Sequence, residues 1–261
     1  MRKLIQCAQN DNEGVTIEQT VKAIKKAGFG GVFVQWYNKN LTCSKKEQVR
    51  LCRDNGLDIE FAHLGYEHIN DLWLDGKDGD RLIDEYIEDI ENLKLLGIEL
   101  SVMHTMSSAT PPEISEKGVN RLIRLFSAAK DMNVKIAVEN LRIRKYFDCV
   151  FDNTSFDNVG VCLDAGHCHI YFNDDFDWTR YGNKILAVHL HDNDGKSDMH
   201  RLPFDGSVPW GLYETKLKAC GFDKPVTLES KYSRIYFDIG LEEFYRRSYE
   251  RAREIAEALA T

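Results

Sequence analysis

From His189 to His200 the chain reads His189-Leu190-His191-Asp192-Asn193-Asp194 and then Ser197-Asp198-Met199-His200, three histidines and three aspartates in twelve residues. Imidazole nitrogens and carboxylate oxygens at this density are ligand types for a divalent cation. They follow the apolar run Ile185-Leu186-Ala187-Val188. Such a run, ending in polar residues, reads as a buried parallel strand whose C-terminal tip opens into a loop. The ending recurs. His63 closes the run 57–62, His104 the run 98–103, Glu139 the run 134–138, Asp164 the run 159–163 and Glu229 the run 225–228. One His or Glu at a strand end is ordinarily a solvated loop residue or a helix cap. Six such endings, all of ligand type, call for another explanation. Three of them are carboxylates, which repel when gathered together. A divalent cation relieves that repulsion, so the sequence predicts one among these tips.

The elements that would gather them alternate regularly. Two further runs, 4–9 and 29–36, precede the six and bring the strands to eight. Thr16 with Gln19 is spaced as a capping box and opens a helix that stops near Gly28. Helices are predicted over 44–55 with Gly56 as a stop, 80–96 ending at Gly97, 118–132, 146–156, 209–220 and 241–259. Eight strands about thirty residues apart, with helices between, predict an α/β chain folded as a single (β/α)8 TIM barrel. An open doubly wound sheet would ordinarily carry a glycine-rich phosphate turn after its first strand, and residues 9–14 contain none. In a barrel, all eight C-terminal tips converge on one mouth. His191, two residues beyond His189, would share its face on a continuing strand but is expected in the loop.

Composition narrows the class. The chain has 261 residues, 43% hydrophobic, and no linker-like stretch, which fits one domain over 1–261. A formal charge of −8 disfavours nucleic acid as a partner. The seven cysteines are scattered and never spaced CxxC, a pattern of reduced thiols in a cytoplasmic protein. No segment approaches the roughly 18 apolar residues of a membrane span, and no secretory leader is expected. The Glu/Arg-rich C-terminal helix is a solvated outer face or, alternatively, a homo-oligomer contact.

Five stretches in this order, Val138-Glu139-Asn140, Leu163-Asp164-Ala165-Gly166-His167, His189-Leu190-His191-Asp192-Asn193, His200-Arg201-Leu202-Pro203-Phe204-Asp205-Gly206 and Thr227-Leu228-Glu229-Ser230, resemble the xylose isomerase-like TIM-barrel superfamily. That superfamily groups sugar (phosphate) isomerases and epimerases with abasic-site endonucleases. The resemblance implies one divalent ion (Mn²⁺, Co²⁺, Mg²⁺ or Zn²⁺) held by Glu139, Asp164, His189 and Glu229. It implies a ketose isomerised or epimerised through a cis-enediolate, with Glu139 and Glu229 as acid/base groups. His63, His104, His167, His200 and Arg201 would then bind substrate, and Asp198 with His200 are candidates for an additional metal. The partner would be a small-molecule sugar, with no nucleic acid and no membrane. The same resemblance leaves open another small-molecule lyase or dehydratase. It also leaves open a trinuclear-zinc endonuclease, whose nine ligand types match His63, His104, Glu139, Asp164, His167, His189, Asp198, His200 and Glu229. A silent, sugar-sensing barrel would have no use for a second glutamate to return a proton.

Overall fold

The structure, a computed structural model, describes residues 2–10, 14–37 and 43–260. Residues 11–13, part of the turn that carries no phosphate-loop glycines, lie outside them. Eight strands form one parallel sheet: β1 (Leu4–Ala8), β2 (Gly31–Trp36), β3 (Asp58–Leu64), β4 (Leu100–Met103), β5 (Lys135–Glu139), β6 (Val159–Asp164), β7 (Ile185–His189) and β8 (Val226–Leu228). They run in the order β7-β6-β5-β4-β3-β2-β1-β8. Leu190 closes the circle: its N–H donates to Thr227 O at 3.0 Å and its carbonyl accepts from Glu229 N at 3.1 Å. The predicted (β/α)8 barrel is the observed fold.

Around it lie α1 (Ile17–Ala27), α2 (Lys45–Asp54), α3 (Asp78–Leu95), α4 (Glu116–Asp131), α5 (Arg144–Asn153), α6 (Ala165–Phe172), α7 (Trp178–Tyr181), α8 (Trp210–Ala219) and α9 (Leu241–Ala258). Thr16 and Gln19 form the expected capping box on α1, and Gly28 follows in the left-handed conformation at φ 109°. The sequence reading did not separate α6, because its eight residues show no amphipathic period; Asp164 caps it. The four-residue α7 and the 3₁₀ segments Ile69–Trp73, Gly182–Lys184 and Arg234–Tyr236 also escaped it. No helix among the described residues is long and apolar enough to cross a membrane. All seven cysteines are free thiols.

Two cores divide the apolar residues. One lies between the sheet and the helices. The other fills the barrel and comprises Ile5, Cys7, Phe33, Phe61, Val102, Ala137, Cys162 and Ala187. This inner core fixes the site by parity. Side chains alternate along a strand, so a residue two positions on from an inward one also points inward. Phe61 is followed in this way by His63, Val102 by His104, Ala137 by Glu139, Cys162 by Asp164 and Ala187 by His189. A register shift between Val161 and Cys162 brings Asp164 level with His189 across the β6–β7 pair.

Candidate metal centre

The six predicted tips meet at the mouth of the barrel. His189 is fully buried at the centre, its ring stacked on Phe33 with centroids 5.1 Å apart. Its Nδ1 lies 3.2 Å from Glu139 Oε2, 3.3 Å from Glu229 Oε2 and 3.9 Å from Asp164 Oδ2. Despite this proximity, neither nitrogen of His189 makes a hydrogen bond to these carboxylates. Three carboxylates from three strand ends thus stand around one imidazole nitrogen. Ligands about 2.1 Å from a shared ion stand roughly 3.0–3.5 Å apart, close to the spacings seen. The donor set of three carboxylates and an imidazole fits a hard or borderline divalent cation.

Further donors surround this set. His63 donates Nδ1–H to Leu64 O at 2.9 Å and places Nε2 3.2 Å from Glu139 Oε2. His200 donates Nδ1–H to Glu229 O at 2.9 Å, and its Nε2 faces Asp198 Oδ2 at 3.3 Å. His167 places Nδ1 3.2 Å from Asn140 O and Nε2 3.3 Å from Asp198 Oδ2. When neutral, a ring that gives one N–H to a carbonyl presents its other nitrogen as a lone pair; when protonated, it donates from both. A ring nitrogen facing a carboxylate holds either a proton or a cation between them, and a carbonyl behind the ring is the usual support for a metal-binding histidine. His104 Nε2 stands 3.4 Å from Glu139 Oε2. Among the described residues five groups have donor atoms within 4.8 Å of one another: His63–His189–Glu229, His63–His104–Glu139, Glu139–Cys162–His189, Asp164–His167–His191 and His191–Asp198–His200.

The local chain explains this placement. Asn140 grips the neighbouring strand like a short piece of sheet: its Nδ2 donates to Asp164 O at 2.9 Å and its Oδ1 accepts from Asp164 N at 2.8 Å. Asp164 Oδ1 caps α6 by accepting from His167 N at 2.7 Å, while Oδ2 faces His191 Nε2 at 3.2 Å and His189 Nδ1 at 3.9 Å. His200 sits at φ 46°, a left-handed conformation held where Lys231 N donates to its carbonyl at 2.9 Å.

Electrostatics follow burial and proximity. Burial favours a neutral Glu139, but the rings of His104 and His189 outweigh it and hold the carboxyl well below its usual range. Burial also works against a charged His167, yet Asp164, Asp198 and Glu139 keep its pKa well above the ordinary imidazole value. His189 is raised in the same way, against burial, by Cys162, Glu229 and Glu139. His104 goes the other way, because burial outweighs Glu139.

A cavity of about 230 Å³ opens above the donors. Its lining includes Glu139, Glu229, His63, His104, His167, Asp198 and His200, while Asp164 and His189 lie beneath it, fully buried. Arg201, expected at the substrate, is not among the lining residues; its Nη1 donates to Asp205 O at 3.3 Å on the exposed side. The lining cations are Arg142 and Lys231, with Tyr66, Tyr171, Ser107 and Ser108 at the rim. Arg142 and the serines come from loops, and Tyr171 from the short helix α6 with no amphipathic period, so nothing marked them in advance. His191 is also part of the centre. It lies past the end of β7, beyond the isolated bridge of Leu190 with Leu228, as expected, and its ring is fully buried against Asp164. His169 stands apart, bonded to Asp174 and Ser207.

An eight-stranded parallel barrel with carboxylate and imidazole donors gathered at its C-terminal mouth is the architecture of a metal-binding α/β barrel. Residues 21–260 match the family model described as xylose isomerase-like TIM barrel, and the chain belongs to that family. Among curated relatives, the uncharacterized protein y4fM of Sinorhizobium fredii is 31% identical over 138 residues, 50% of this chain and 44% of that protein. The probable endonuclease 4 of Mycoplasma mycoides is 27% identical over 139 residues, 46% of this chain and 47% of that protein. The chain thus spans less than half the length of these relatives. Among solved structures, the D-allulose 3-epimerase of Methylomonas sp. superposes with a TM-score of 0.76 at 15% identity, covering 97% of each chain. The IolI protein with a bound zinc superposes with a TM-score of 0.74 at 18% identity, covering 100% of this chain and 98% of that one.

Proposed function

We propose that this protein is a metal-dependent isomerase or epimerase of a small ketose, with Glu139 and Glu229 as the proton-transfer pair. The observation that carries this reading is the placement of both glutamates. They come from different strands, lie within 3.3 Å of the same His189 nitrogen and line one cavity. Glu139, Asp164, His189 and Glu229 would hold the cation, which when bound supplies the positive charge that polarises a sugar carbonyl. One glutamate takes the proton from the carbon beside the carbonyl, and the C–H electron pair moves toward the carbonyl oxygen. The other glutamate returns a proton to the opposite face of that carbon, giving an epimer, or a proton reaches the neighbouring carbon, giving an isomer. His63, His104, His167 and His200 line the walls and orient hydroxyl groups. The cavity is smaller than the roughly 300–1,000 Å³ that drug-sized ligands occupy, which suits a single monosaccharide. The D-allulose 3-epimerase among the solved structures is named for this kind of reaction.

The test is deuterium wash-in. Metal-loaded protein is incubated in D₂O with ketopentoses and ketohexoses, and proton NMR follows the hydrogen beside the carbonyl. Exchange is expected, and Glu139→Gln and Glu229→Gln, each checked for bound metal, should slow it about 10²–10⁴-fold. A metal-loaded protein that exchanges none of these sugars contradicts the reading.

One observation favours a second reading: all nine donors of a trinuclear set converge, and a relative is named a probable endonuclease. Cleavage of an abasic-site duplex by the metal-loaded protein, without sugar exchange, would establish that reading. A net charge of −8 works against a polyanionic substrate.

A further inference from the structure

His191 is the one buried imidazole at the centre to which neither the resemblance nor the proposed reaction gives a role. Its side chain is fully buried. Nε2 lies 3.2 Å from each oxygen of Asp164 and 3.7 Å from Asp198 Oδ1. Its ring stacks on His200 with centroids 4.1 Å apart and planes 23° off parallel, and meets the His167 ring edge-on at 5.8 Å. One side chain therefore touches Asp164 of the central set and all three outer donors, His167, Asp198 and His200.

The backbone makes room for this ring. A Cβ on Gly166 would fall 2.1 Å from His191 Cε1 and 2.5 Å from Nδ1, closer than atoms can approach. Asn193, two residues on, donates from Nδ2 to Gly166 O at 3.0 Å and holds that turn against the ring. The glycine of Asp164-Ala165-Gly166-His167 thus serves His191: any larger residue there would push the imidazole off Asp164.

We infer that His191 is a positioning residue: its Nε2–H fixes the Asp164 carboxylate, and its ring face fixes His200, so that the central and outer donors keep their relative geometry. It acts through those ligands and touches no substrate, since it does not line the cavity. Partners behind metal ligands typically change metal affinity 10–100-fold when removed. The inference rests on the metal-centre reading above.

The test is a Co²⁺ titration of purified protein freed of metal by chelation, read by visible absorption. His191→Phe keeps a ring of similar size but no N–H, and should weaken Co²⁺ binding at least tenfold and alter the absorption band. His191→Gln restores an N–H near the Nε2 position and should bind within about threefold of wild type. Gly166→Ala, which alters no donor, should mimic His191→Phe by displacing the ring. The melting temperature of the metal-free chain should move less across these variants than the affinity does. Wild-type affinity and spectrum in both His191→Phe and Gly166→Ala would overturn the inference, as would a loss in His191→Gln equal to that in His191→Phe. If His191→Phe does not fold, the contrast between Gly166→Ala and His191→Gln decides alone. A wild-type chain that binds no Co²⁺ overturns the metal-centre reading itself, and this inference with it, so the two failures are distinguishable.

Discussion

At the scale of the residue, the centre is an unstable arrangement until positive charge enters it. In the metal-free chain that charge can come only from protons. Asp164, with the other carboxylates, raises His167, Glu229 and Glu139 raise His189, and Asp164 raises His191, in each case against burial. His104 and His200 are lowered, chiefly by burial. The sign of the pH dependence follows. Above about pH 6.5 an unfolded imidazole is neutral, so the two lowered rings add no further slope. The three raised rings still hold protons in the folded chain, and the stability they contribute is lost as pH climbs through their folded pKa values. The metal-free protein should therefore become less stable from pH 6.5 upward. The metal-loaded protein should become more stable over the same range, because the cation competes with those protons. Thermal melts with chelator and with excess metal between pH 6.5 and 9 measure both slopes; parallel slopes would mean that the cation does not take the protons' place.

At the scale of the element, the loop after β7 is held by one carboxylate. Asp192 is fully buried and accepts from Asn193 N, Phe204 N, Val208 N and Trp210 Nε1 at 2.8 to 3.0 Å. Its backbone pairs with Arg201 in both directions. This loop carries Asp198 and His200. Asp192→Ala strands several buried donors, each costing about 1–3 kcal/mol, so a loss of at least about 3 kcal/mol is expected in denaturant melts, together with weaker metal binding. A change under 1 kcal/mol would show that the loop stands without it. The strand tips were legible in the sequence because apolar runs ending in ligand types carry their own signal, and parity along a strand does the rest. His191 lies past the strand end as expected, but its burial against Asp164 and His200 is set by tertiary contacts that spacing alone does not show. Arg201 was misread because its neighbour His200 turns to positive φ, and alternation no longer tells where the next side chain points. Arg142 reaches the cavity from a loop and Tyr171 from the end of the short helix α6, where position is set by tertiary contacts that leave no local pattern.

At the scale of the whole molecule, eight alternating units were enough to read the barrel, since period and order survive errors of a residue or two at each boundary. What the sequence could not give is the floor on which the centre rests. Phe33 and Phe61 stack with centroids 4.8 Å apart inside the barrel, and both lie against the His189 ring. Phe33→Ala should cost about 3–5 kcal/mol and also loosen His189, so metal affinity should fall with stability; unchanged affinity in a destabilised variant would separate floor from site. The account depends most on distant tips caging a cation at one mouth. The direct measurement is anomalous diffraction from crystals grown with Mn²⁺ or Co²⁺. The expected result is an ion bonded to Glu139, Asp164, His189 and Glu229 together. A fully loaded crystal with no ion among those four side chains would contradict the account.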